Sequence, residues 1–181
     1  TLHELTPTEV DEGALAASAG DETPEQAALR AQLAALQPPV EAILQEQLTV
    51  ILAEQGLTAG GQPLPPVAFH ITPLPLALVV SPRERIEQVA IQMIECDLTL
   101  DKQGDLETRA AVGLDVATLV TPVGGIGTYP TMVAQSADLR WITSVVAHEW
   151  IHNFLTLRPL GLLYDTSAEL RTLNETTAEM L

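Results

Sequence analysis

The hydrophobic period along the chain changes twice, and the changes divide it. Over residues 1–22, Ala, Gly, Glu, Asp and Thr follow one another with no apolar repeat, which predicts a flexible acidic leader or linker. From Thr23 the spacing turns helical. Thr23 and Gln26 have the spacing of a capping box, Pro24 suits a first turn, and Leu29, Leu33 and Leu36 recur at helical intervals. Pro38-Pro39 predicts a stop or a kink, because proline lacks the N–H that the helical ladder needs. A second helix then carries Val40, Ile43, Leu44, Leu48, Ile51 and Leu52 on one stripe, and Gly56 ends it. Residues 23–57 therefore read as a helical pair covering a sheet, in preference to a coiled segment that binds a partner. Thr58 to Pro66, rich in Gly and Pro, predicts a loop and the main boundary inside the chain.

From Val67 the period becomes two. Val67, Phe69 and Ile71 alternate with Ala68, His70 and Thr72, and a buried strand is expected from Leu76 to Ser81. His70 falls on the more polar face, where a lone histidine is more often a satisfied surface residue than a substrate contact. Val89, Ile91 and Met93 alternate against Gln88, Ala90 and Gln92 in a third strand with one wet face. A short helix opens at Thr99 or Asp101, and Ala117 to Val123 forms a fourth strand. Gly124 to Val133, with three glycines and Pro130, suits an edge strand where another backbone comes close, and it carries no phosphate-loop lysine. Ser136 is the expected N-cap of a helix with Leu139, Ile142 and Val146 that ends near Pro159-Leu160-Gly161. The spacing of Thr166 and Glu169 predicts a capping box for a final helix with Leu170, Leu173 and Glu175. The fold class is α+β: a small, mostly antiparallel or mixed sheet packed on helices, with the core over residues 67–181.

The candidate chemistry lies in the helix that follows the edge strand. His148 and His152 are four apart, so one helical face can present both imidazoles to a single ion, with Glu149 beside them as a general base for an attacking water. The stretch from Val145 to Phe154 resembles the signature of the zincin metallopeptidases: apart from Glu149 and the two histidines its residues are uncharged, and it lacks proline. The resemblance implies a zinc-dependent peptidase with an active-site helix, a following helix that supplies the third ligand, and a peptide or protein substrate bound along the edge strand. Leu155 and Arg158 occupy the positions where the longer, three-histidine variant needs Gly and His. Asn174-Glu175-Thr176-Thr177-Ala178 resembles the Asn-Glu-x-x-Ala stretch of the gluzincin branch, which implies Glu175 as third ligand to Zn2+, although its distance from His152 is slightly longer than in the best-known members. Asp165 and Glu179 are the alternatives. Gluzincins add a tyrosine or histidine that donates to the oxyanion; no match to that motif is present, and Tyr129 and Tyr164 are candidates by chain position.

Composition adds limits. With 181 residues, 46% of them hydrophobic, the chain is long enough to bury a core. A net charge of −16 argues against nucleic acid and anionic membrane surfaces, both of which need a basic face. Cys96 is the single cysteine, so no disulfide framework exists. No apolar run is long enough to cross a bilayer, and no stretch of this sequence reads as a signal peptide. Thr1 at the start and a helical pattern still running at Leu181 suggest a fragment of a longer protein. The rival functional reading is an inactive zincin-like metal-binding or interaction domain of a larger, membrane-tethered protein.

Overall fold

Helix α1 (Pro24–Glu54) opens as its capping box predicts: Thr23 Oγ1 accepts from Gln26 N at 3.2 Å, and Gln26 Oε1 accepts from Thr23 N at 2.9 Å. In this computed structural model, which describes residues 23–85, 87–156 and 158–180, the helix runs on through Pro38-Pro39. The expected stop at this pair does not occur: proline's fixed φ is itself helical, so the pair removes ladder bonds while the helix continues on both sides. The boundary between two compact units, Thr1–Pro39 and Val40–Leu181, does fall at this point. The acidic leader predicted for residues 1–22 lies outside the described residues.

Of the two expected helical segments only the second covers a sheet, and only with half of its expected stripe: Leu44, Leu48 and Leu52 are buried in the core of the second unit, whereas Val40, Ile43 and Ile51 are exposed, as are Leu29, Leu33 and Leu36 of the first segment. The rest of the chain forms β1 (Phe69–Ile71), β2 (Leu76–Pro82), β3 (Ala90–Ile94), α2 (Leu100–Ala111), β4 (Val116–Pro122), β5 (Gly125–Ile126), β6 (Thr131–Val133), α3 (Leu139–Leu155), α4 (Pro159–Leu162) and α5 (Ala168–Glu179). The fold is α+β.

Two small sheets form where one was expected. The first, in the order β1-β6-β5, is mixed: β1 runs parallel to β6, pairing Phe69 with Thr131 and Ile71 with Val133, and β5 returns antiparallel, pairing Gly125 with Val133. The second, β3-β2-β4, is antiparallel, with Leu78 opposite both Gln92 and Val120. Pro73 and Pro75 lie between β1 and β2, and Pro122 ends β4. Residues without an N–H cannot extend a ladder, so the chain changes sheet at these places. Strand β3 is an outer strand, and its apolar side, Val89, Ile91 and Met93, is exposed. Helix α2, capped by Thr99 as expected, occupies the outer edge of β4: Val120 N donates to Glu107 Oε1 at 2.6 Å.

The outer edge of β1 is also occupied. Gln45 Nε2 donates to Phe69 O at 3.2 Å, and Ile71 N donates to Glu41 Oε1 at 2.8 Å. The other oxygen of the buried Glu41 lies 2.9 Å from His70 Nδ1. The His70 ring is 69% exposed and paired to a carboxylate that closes a sheet edge, so its position is explained without a substrate.

Helix α3 starts at Asp138, not Ser136. Asp138 Oδ1 accepts from Arg140 N and Trp141 N, while Ser136 Oγ accepts from Asp138 N at 3.1 Å. A carboxylate is the stronger acceptor for the positive end of a helix. The helix ends at Leu155, and Pro159 begins the separate α4, because the residue before a proline is held extended. Ser167 rather than Thr166 caps α5, accepting from Leu170 N at 3.3 Å. Ile142, Val146, Trp150, Ile151 and Leu155 point from α3 into the core against Leu52, Phe69, Val133 and Ala178. The Trp150 indole N–H reaches Pro65 O at 2.8 Å, which ties the loop before β1 to this helix. Among the described residues no helix is long and apolar enough to cross a membrane.

Candidate metal centre

With one stripe of α3 committed to the core, His148 and His152 emerge on another. Their rings are inclined at 78° with centroids 4.8 Å apart, and the two Nε2 atoms lie 3.1 Å from each other. Two imidazole nitrogens this close point their lone pairs at a common place. Glu175, mid-way along α5, completes a triangle: its Oε2 is 3.4 Å from His148 Nε2 and 3.4 Å from His152 Nε2. A tetrahedral ion with bonds of about 2.0–2.1 Å to N and O holds its ligand atoms roughly 3.3 Å apart, so the three donors have the separation such an ion needs. Among the described residues, His148, His152 and Glu175 are the group whose donor atoms could hold a metal ion together. The side chains are 22%, 20% and 41% exposed, so water has access to the point they share.

The ligand atoms are oriented from behind. Asn174 Oδ1 lies 2.8 Å from His152 Nδ1, and Asn174 Nδ2 donates to Leu160 O at 3.1 Å. With Nδ1 as the donor, the lone pair of Nε2 is left facing the triangle. On the other imidazole, His148 Nδ1 is 3.8 Å from Glu179 Oε1. Glu179, weighed as a ligand from the sequence, is thus placed behind His148 rather than at the shared point. Asp165, the other alternative, pairs with Arg171 at 3.3 Å and does not join the cluster.

Glu149 sits beneath β5. A Cβ added to Gly125 would lie 2.6 Å from Val145 Cγ1, 2.8 Å from Glu149 Cγ and 3.0 Å from Glu149 Oε1, and one added to Gly127 would lie 3.2 Å from Glu149 Oε2. The glycines allow the strand to rest directly on this carboxylate. Burial is the first cause that raises the pKa of Glu149; the two histidines oppose it. No hydrogen bond from a described residue engages the Glu149 carboxylate. Asn153, next to His152, secures the same strand from below, its Nδ2 donating to Thr128 O at 3.1 Å.

Within this cluster His152 and Glu175 act on each other. Contact with Glu175 raises the pKa of His152 above its ordinary value, and contact with His152 holds Glu175 down at about 2. Tyr164 donates its hydroxyl to Glu175 Oε1 at 2.5 Å; burial first, then this hydrogen bond, pushes the phenol upward. The other candidate tyrosine, Tyr129, is exposed. The roles of Asn174, Asn153 and Glu179 escaped the spacing argument, although Asn174 stands inside the stretch that identified Glu175. Family models, curated proteins and solved structures provide no match to this chain.

Proposed function

We propose that the chain is a zinc-dependent metallopeptidase. The observation that carries this reading is the convergence of His148 Nε2, His152 Nε2 and Glu175 Oε2 on one solvent-accessible point beside Glu149. Two imidazoles and a carboxylate, with a fourth position open to water, are the donor set of catalytic rather than structural zinc. When bound, zinc supplies Lewis acidity, lowering the pKa of a water towards about 7 and polarising a carbonyl.

The chain's own groups account for the rest. Glu149, buried enough to favour proton uptake and without a hydrogen bond to its carboxylate from the described residues, takes the proton of the attacking water and returns it to the leaving amine. Strand β5 is the outer strand next to α3, and an extended peptide can pair with its edge. The opposite edge of that sheet is filled by Glu41 and Gln45, so β5 is the edge left for strand addition.

The test uses purified protein with zinc analysis and a fluorogenic peptide library. Wild type is expected to hold one zinc and hydrolyse peptides; His148→Ala loses the metal, and Glu149→Gln keeps the metal but loses hydrolysis by at least about 100-fold. Full zinc retention in a variant lacking both histidines would dismiss the centre. Zinc binding without turnover on any peptide would favour an inactive metal-binding or interaction domain.

A further inference from the structure

We infer that Tyr164 is a positioning residue that restricts Glu175 to ligation through a single oxygen; this rests on the metal centre proposed above. A carboxylate can bind an ion through one oxygen or both, and the two modes give different coordination numbers. In this chain the two oxygens of Glu175 have separate partners. Oε2 faces both histidine nitrogens at 3.4 Å, and Oε1 accepts the Tyr164 hydroxyl at 2.5 Å.

The tyrosine is itself held by contacts that do not involve Glu175. Its ring meets the His152 ring edge-on, at 85° and 6.1 Å between centroids, and the Arg171 guanidinium carbon lies 5.7 Å from the ring centre. Tyr164 stands in the turn between α4 and α5, while Glu175 is on α5, so the hydrogen bond links the turn to the ligand helix. Glu175 is 41% exposed and has three side-chain torsions to order. A fixed donor on Oε1 removes the rotations that would carry that oxygen to the ion, and leaves the fourth position to water. Tyr164 thereby acts through Glu175 and not on substrate.

The experiment compares wild type, Tyr164→Phe and, as control, Asp115→Asn at an exposed position paired with Arg83, all in the full chain, with circular dichroism to verify folding. Two quantities are read: zinc affinity by competition with a chromophoric chelator, and the visible absorption of the cobalt(II)-substituted protein, which reports coordination number. Tyr164→Phe is expected to bind zinc roughly 10–100-fold more weakly, in the range found when a ligand loses its supporting hydrogen bond. Its cobalt bands are expected to lose intensity as a four-coordinate site becomes five-coordinate, whereas Asp115→Asn changes neither. Wild type that binds metal together with a Tyr164→Phe protein of unchanged affinity and spectrum overturns this inference alone. Wild type that binds neither zinc nor cobalt overturns the metal centre and the inference with it.

Discussion

Asn174 is 1% exposed and uses both ends of its amide, one on His152 Nδ1 and the other on Leu160 O. Removing it leaves the partly buried Leu160 carbonyl without this donor and an imidazole free to choose the wrong tautomer. Asn174→Ala is therefore expected to cost about 1–3 kcal/mol of stability and to weaken metal binding by roughly 10–100-fold. Urea unfolding of the metal-free protein and chelator competition measure the two effects separately; unchanged metal affinity would mean that His152 needs no partner. At this scale the chain disclosed the two histidines and Glu149, because their relation is set within one helix. The amide behind His152 and the hydroxyl on Glu175 reach across elements, and no spacing encodes such a reach.

Glycine shows the same limit at the level of elements. Gly125 and Gly104 look alike in the chain, yet their surroundings give opposite predictions. Gly125 in β5 lies against Val145 and Glu149, so Gly125→Ala forces a shift of the strand or of the carboxylate. Overpacking of this kind costs about 1–3 kcal/mol, and peptide hydrolysis should fall while zinc is retained, since the three ligand atoms lie elsewhere. Gly104 is inside α2 with nothing within 4 Å of an added Cβ. Gly104→Ala should stabilise the chain by about 0.5–1 kcal/mol, through lower entropy of the unfolded state. Thermal or urea denaturation of the two variants checks both signs. Most strand and helix identities along residues 69–179 were legible from period, but the single edge strand expected over Gly124–Val133 is two short antiparallel strands, β5 and β6, and α4 is a separate helix. Their ends were less so: a stronger acceptor at Asp138 displaced Ser136, and Pro159 closed α3 early.

For the molecule as a whole, the paired ligands predict how stability depends on pH. Glu175 is lowered from 4.5 to about 2, so its contribution is present above pH 4.5 and is lost as pH falls towards 2. His152 is raised above 6.5, so its contribution is complete below that value and is lost as pH rises through its elevated pKa. Both are present together between 4.5 and 6.5, where the metal-free chain should gain most from this pair; partial exposure keeps the effect small. Under the proposed function, zinc would reverse the trend on the alkaline side, because a metal ion binds the unprotonated imidazole. The difference in Tm between zinc-loaded and chelator-treated protein should widen as pH rises from about 5 to about 8, and a constant difference would argue that the histidines do not ligate. Sequence by itself determined what local physics can carry: the α+β class, the period of each element, and two imidazoles four residues apart with a carboxylate between them. Tertiary structure alone decided that the strands form two sheets and that Glu175, not Asp165 or Glu179, faces the Nε2 atoms of both histidines. It also decided that the glycines of β5 rest on Glu149. Those outcomes depend on how separate elements pack, and packing follows the volume and hydrogen bonding of residues distant in the chain, which no local pattern records.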